Sequence, residues 1–193
     1  MSDDARFVKH ARTALDVCAI RRDLVVLLGI EPSSPETEYG WIETVHLPAD
    51  RETVEPVRRF WEKPSATEAG ELMRRGCLWN SFVMVGWIGG FLELIAASAP
   101  ALMRGFEAVR QSLGSQREAA ALARLYARLP AISFSTAILT RSARLGAVRV
   151  KDIKWSDWGN PERVFNSLRR TGRTPGWLRD LNTHRSGRDE QSA

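Results

Sequence analysis

Glu62 and Lys63, set side by side ahead of Pro64, are the residues of this sequence best placed to hold a phosphorylated ligand. Lys63 can neutralise a phosphate as a point charge, while Glu62 can accept hydrogen bonds from hydroxyls. From these residues alone, a solvated ion pair at a turn is the simpler account of the two. Asn80 and Ser81, between Trp79 and an apolar stretch, can give and accept hydrogen bonds as a polyol requires, or serve a turn. Asp157 stands between two tryptophans and before Gly159, where a carboxylate could share an oxygen-seeking cation such as Mg²⁺ with a ligand phosphate, or simply shape a tight turn. Gly40, after Tyr39, permits close approach of backbone to ligand, or a hairpin turn.

Other chemistries find little support. His10, His46 and His184 are scattered without carboxylate or cysteine at metal-ligand spacing, and the serines have no nucleophile-elbow context. Cys18 and Cys77 are too few and too far apart for a disulfide framework, which fits a reducing cytoplasm. The apolar run from Phe82 to Met103 holds Glu93, Gly86, Gly89, Gly90 and Pro100, and reads as a buried strand leading into a buried helix rather than a membrane span. The net charge of +5 gathers toward the C-terminal end, around Arg163, Arg169, Arg170 and Arg173. With little aromatic interleaving, this reads as a solvated basic face, with a nucleic-acid-associated module as the minor alternative.

The elements that must position these residues follow from periodicity. At 193 residues, 44% hydrophobic and 26% charged, the chain can bury one domain core. Asp3 or Asp4 caps a helix to Ile20 with Phe7, Ala11, Leu15 and Cys18 on one face. Leu24 to Ile30 is a short, continuous apolar run, a strand buried on both faces. Trp41 to Val45 and Val57 to Glu62 read as strands, with a polar connection from Pro48 to Pro56. Ser65 and Glu68 form a capping box opening a helix to Arg75, closed by Gly76. A strand at Phe82 to Gly86, a helix at Phe91 to Ala97, helical segments from Ala101 to Leu129 broken near Gly114, a short helix at Thr136 to Thr140, a strand at Ala147 to Val150 and a helix from Pro161 complete the series. Order is expected to decrease from Gly172 onward.

Taken in order, four segments resemble the sugar-1-phosphate nucleotidyltransferase family, whose members show a G-Y-G-Y-I-like strand, then F-x-E-K-P, W-N-S-G and W-x-D-x-G. Here they stand as Glu38-Tyr39-Gly40-Trp41-Ile42, Phe60-Trp61-Glu62-Lys63-Pro64, Trp79-Asn80-Ser81-Phe82 and Trp155-Ser156-Asp157-Trp158-Gly159. Leu28-Gly29-Ile30-Glu31-Pro32, followed by Pro35-Glu36-Thr37, is most similar to the mannose-1-phosphate guanylyltransferase branch.

The resemblance implies an α/β fold, a partial Rossmann-like, glycosyltransferase-A-like mixed sheet flanked by helices. Residues 1–171 would form the C-terminal part of the catalytic domain, and 172–193 a basic, poorly ordered tail. Gly40, Glu62, Lys63, Asn80 and Ser81 would line a sugar-phosphate pocket, with Lys63 and Asp157 catalytic and Asp157 one of two aspartates holding Mg²⁺. The substrates implied are mannose 1-phosphate and GTP, with homo-oligomers a possible feature. The glycine-rich phosphate loop and first metal aspartate would lie upstream of Met1, so the sheet should expose edges, and the chain alone should be inactive or act as a binding or regulatory partner. Smaller departures are Glu38 and Phe82, where the family often has glycine, and Ser135, where many members have aspartate.

Overall fold

The computed structural model describes residues 3–45 and 54–177. His46, His184, most of the Pro48–Pro56 connection and most of the tail from 172 lie outside the described residues. The chain divides into two compact units, one reaching Ile153 and one beginning at Lys154.

Among the described residues, the first unit is built on five strands, β1 (Val25–Ile30), β2 (Gly40–Thr44), β3 (Val54–Glu62), β4 (Leu78–Val85) and β5 (Leu145–Val150). They are accompanied by helices α1 (Asp3–Ile20), α2 (Ala66–Arg74), α3 (Ile88–Ser98), α4 (Pro100–Arg110), α5 (Glu118–Tyr126) and α6 (Phe134–Ala137), the last running into a 3₁₀ turn at Leu139–Arg141. The second unit holds α7 (Pro161–Thr171), ended by Gly172 in the left-handed region at φ 65°.

All six residues of β1 are buried, as a continuous apolar run demands. Val25 and Leu27 join Ile42, Phe60, Leu78, Leu145 and Ala147 in a core completed by Leu94 of α3 and by Ile138 and Leu139. The alternate residues Val26, Leu28 and Ile30 are equally buried on the other face. The α2 capping box forms as the spacing requires: Glu68 N–H donates to Ser65 Oγ at 3.3 Å, and Ser65 N–H donates to Glu68 Oε2 at 2.9 Å.

The sheet is not the open, Rossmann-like arrangement that the resemblance implied. Its strands close into a barrel in the order β1-β4-β2-β3-β5, because β5 pairs parallel with β1 and antiparallel with β3. The expected free sheet edges are thereby consumed within the barrel. Closure depends on a small residue at the seam. Gly146 lies opposite Pro56, and a Cβ there would collide with Val54 Cγ1.

Three elements differ locally from their expected form. On α1 the buried positions are His10, Ala14 and Cys18, spaced four apart, while Leu15 is turned out to solvent. β3 starts at Val54, three residues early, running through Pro56, whose carbonyl accepts from Val45 N–H. β4 starts at Leu78 rather than Phe82, so Trp79, Asn80 and Ser81 lie within a strand and not at its edge.

Candidate functional site

Three of the expected residues come together as a row across neighbouring strands. Gly40 at the start of β2 pairs with Glu62 at the end of β3. On the other side of β2, Trp41 pairs with Trp79, and one step further along the same antiparallel register brings Asn80 level with Gly40. A Cβ at position 40 would meet the Phe60 ring at 2.6 Å and Glu62 Oε2 at 3.3 Å, so glycine is what leaves the Glu62 side chain its place over β2.

Lys63 follows Glu62 directly and is exposed. Its φ is 44°, a left-handed conformation that a side-chain-bearing residue adopts at a cost, and one that a following proline ordinarily disfavours. Backbone strain of this kind persists where the surrounding structure holds it, here between β3 and the capped start of α2.

Asn80 and Ser81 are both buried, and their oxygens act on the backbone. Between Leu27 and Gly29 the β1–β4 register shifts, with Met84 opposite the first and Asn80 opposite the second. The extra residues of β4 form a bulge. Ser81 Oγ–H donates to Leu28 O at 2.5 Å and accepts from Val83 N–H at 3.2 Å, while Asn80 Oδ1 accepts from Phe82 N–H at 3.1 Å. The turn role that sequence left open for Asn80 is therefore real, and Ser81 shares it. Phe82, at the crest, has φ 62° and is 55% exposed. A run of mixed polar and apolar residues gives no local signal for such a bulge.

Beneath the row, Trp79 packs edge-on against Tyr39 and Trp41, with ring centroids 5.2 and 6.2 Å away. The Trp79 indole N–H is buried and has no hydrogen-bond acceptor among the described residues. The loop leading to Gly40 is held by Trp41 Nε1–H, which donates to Glu36 O at 2.8 Å.

At the other end of β2 lies a charged cluster that sequence reasoning did not single out. Glu43 is buried; it accepts from Trp61 Nε1–H at 3.2 Å and pairs with Arg75 and, at 3.8 Å, with Arg58. A glutamate within the alternating run Trp41-Ile42-Glu43-Thr44-Val45 was the available signal. A cavity of about 560 Å³ opens there, lined in part by Glu43, Arg58, Arg75 and Cys77. Burial, with the Glu43 carboxylate nearby, raises the Cys77 thiol above its usual range. A second cavity, of about 630 Å³, lies between α3 and Arg141–Arg144. Neither is lined by the row residues.

Asp157, in the second unit, is engaged within its own turn. Its Oδ1 accepts from Gly159 N–H at 3.0 Å, and both carboxylate oxygens accept from Arg163, at 3.2 and 3.3 Å. Glycine at 159 is what lets the carboxylate fold back, since a Cβ there would lie 2.7 Å from Asp157 Oδ2. Among the described residues, no three His, Cys, Asp or Glu side chains gather as metal ligands. The expectation of Mg²⁺ held by Asp157 is thus corrected: the donor set for the ion is not assembled, and an arginine occupies the cation's place beside the carboxylate. Nor is any described helix long and apolar enough to cross a membrane.

Comparison with known proteins agrees with this architecture. The Nucleotidyl transferase family model matches residues 1–172. A mannose-1-phosphate guanylyltransferase of Sinorhizobium fredii is 30% identical over 167 residues, covering 85% of this chain and 31% of that protein. The xanthan biosynthesis protein XanB of Xanthomonas campestris is 28% identical over 163 residues, 82% of this chain and 33% of its own length. A solved mannose-1-phosphate geranyltransferase structure from Thermus thermophilus superposes with a TM-score of 0.70 at 28% identity, covering 89% of this chain and 46% of that one. The chain spans about a third of the length of the curated relatives it matches. On the family match over nearly its whole length, the chain belongs to the nucleotidyl transferase family.

Proposed function

We propose that this chain carries the acceptor side of a nucleotidyl transfer to a sugar 1-phosphate. The observation that supports it most is the row of Asn80, Gly40 and Glu62 with the strained, exposed Lys63 at its end. Glu62 offers an acceptor for sugar hydroxyls, and Lys63 a cation for the phosphate. Asn80 and Ser81 hold the bulge that shapes the neighbouring strand. The guanylyltransferase-like segments and relatives favour mannose 1-phosphate as acceptor and GTP as donor.

In that reaction a phosphate oxygen of the sugar phosphate attacks the α-phosphorus of GTP. A new P–O–P linkage forms, the bond between the α-phosphorus and its bridging oxygen to the β-phosphate breaks, and pyrophosphate leaves. Orientation and charge stabilisation are the protein's main contributions to such chemistry. Lys63 serves both, by fixing the attacking phosphate and lowering the repulsion between it and the donor.

Residues 1–171 are read as the sugar-binding part of a larger catalytic domain. A second reading, a sugar-phosphate-binding or regulatory partner without transfer activity, is favoured by the Arg163 guanidinium that takes up both oxygens of the Asp157 carboxylate. Calorimetry with mannose 1-phosphate tests the shared core of both readings. The chain should bind it, and Lys63→Ala should weaken binding by roughly tenfold or more, as loss of a charge-assisted contact implies. No binding by the folded chain would overturn the acceptor site. Pyrophosphate release from GTP and mannose 1-phosphate should be negligible for the chain alone, and robust release would overturn the second reading.

A further inference from the structure

Phe82 combines three features that packing does not explain. It is a bulky residue in the left-handed region, a conformation costing about 1–2 kcal/mol without glycine. Its backbone is fixed in that state by Asn80 Oδ1 on its own N–H and by Ser81 Oγ on the amide that follows. Yet the residue is 55% exposed, so full burial does not offset the strain. Bulges re-aim side chains, and strained positions gather where function requires them.

The surroundings define what such a ring can meet. A pyranose presents hydroxyls at its rim and C–H groups on its faces, and needs an apolar surface as well as polar partners. The row provides polar partners in Glu62 and Lys63. Other aromatics of the neighbouring strands are withdrawn: Trp41, Phe60 and Trp79 are buried, and Trp61 lies under Arg59 at 3.7 Å. Phe82, two residues beyond Asn80 on β4, is their exposed counterpart.

We propose that Phe82 is a specificity-determining residue, its ring forming the apolar platform for one face of the sugar whose phosphate Lys63 holds. This rests on the acceptor-site reading, and the test separates the two. Calorimetry compares mannose 1-phosphate with inorganic phosphate on the wild-type chain and on Phe82→Gly, Phe82→Leu, Phe82→Tyr and Lys63→Ala.

Phe82→Gly and Phe82→Leu should weaken mannose 1-phosphate by roughly 3- to 10-fold, the scale of one aromatic contact, and leave inorganic phosphate unchanged. Phe82→Tyr should retain wild-type affinity for both, whereas Lys63→Ala should weaken both. Phe82→Leu controls for the backbone, since it keeps an apolar side chain and the left-handed strain while removing the aromatic face. Mannose 1-phosphate binding by Phe82→Gly and Phe82→Leu within about twofold of wild type would overturn the platform while leaving the acceptor site standing. Equal weakening of both ligands would also overturn it, by showing a general collapse of the bulge. A wild-type chain that binds neither ligand would bring down both readings.

Discussion

The two ends of β2 are built on opposite terms. At the Thr44 end, the buried Glu43 is met by an indole N–H and two guanidiniums. At the Gly40 end, Lys63 and Phe82 occupy left-handed conformations with their side chains exposed, and the polar side chains of Asn80 and Ser81 are used to hold the bulge. One end satisfies its charges and the other stores strain beside them. A strand only five residues long thus separates a region that stabilises the barrel from one where stability is given up, the division expected where binding is assigned to one end.

Substitutions at each end test that division. Glu43→Ala should have the largest effect on stability, about 2–3 kcal/mol in a denaturant melt. This is below the usual range for breaking a fully buried pair, because Arg58 is mostly and Arg75 about half in water. Affinity for mannose 1-phosphate should be little changed, and a large loss would erase the contrast between the ends. Gly40→Ala should cost about 1–2 kcal/mol through its clash with Phe60, and should also reduce mannose 1-phosphate binding by displacing Glu62.

Ser65→Ala removes the cap that begins just after Lys63-Pro64, and should cost about 1 kcal/mol in thermal or denaturant unfolding. Ser65 also holds the Glu68 carboxyl below its usual range through its side-chain and then its backbone hydrogen bond. That contribution is present at neutral pH and is lost as pH falls through the lowered folded value, so the wild-type advantage over Ser65→Ala should shrink in acid.

Cys77 sharpens the comparison from the alkaline side. Its thiol is raised by burial and by Glu43, so stability from keeping it neutral is complete below the unfolded thiol range and is lost as pH rises through the folded value. Wild type should therefore lose stability at alkaline pH relative to Cys77→Ser, as followed by pH-dependent melts. The smallest effect belongs to Phe82→Gly, within about 1 kcal/mol of wild type, because relief of the left-handed strain offsets the added freedom of glycine and the loss of a half-exposed ring. A loss of several kcal/mol would show that Phe82 supports the barrel.

Local features of this fold were legible in the sequence because they depend on local physics. The Ser65–Glu68 box, the two-faced burial of β1, the break near Gly114 and the Pro161 start of α7 each follow from a few adjacent residues. Barrel closure was not, since the pairing of β5 with both β1 and β3 joins residues ninety or more positions apart. Of the candidate site the sequence showed residue types in order, and β2 and β3 pair Gly40 with Glu62. Its conformation was hidden, because the β4 bulge arises from Asn80 and Ser81 bonding to backbone and not from any periodicity. Asp157 failed as a metal ligand for a similar reason: sequence showed a carboxylate near a glycine, but not the Arg163 guanidinium that folds against it.

The double pairing of β5 also governs the order in which the molecule can be completed. During synthesis β1 emerges long before residues 145–150, and until they follow it lacks its parallel neighbour while β3 lacks one flank. Until residues 145–150 are made, the nascent polypeptide thus carries two unfilled hydrogen-bonding margins, an interval in which pairing with another chain competes with completion. Such distant contacts are slow to form. Residues 145–150 are therefore the keystone of this barrel.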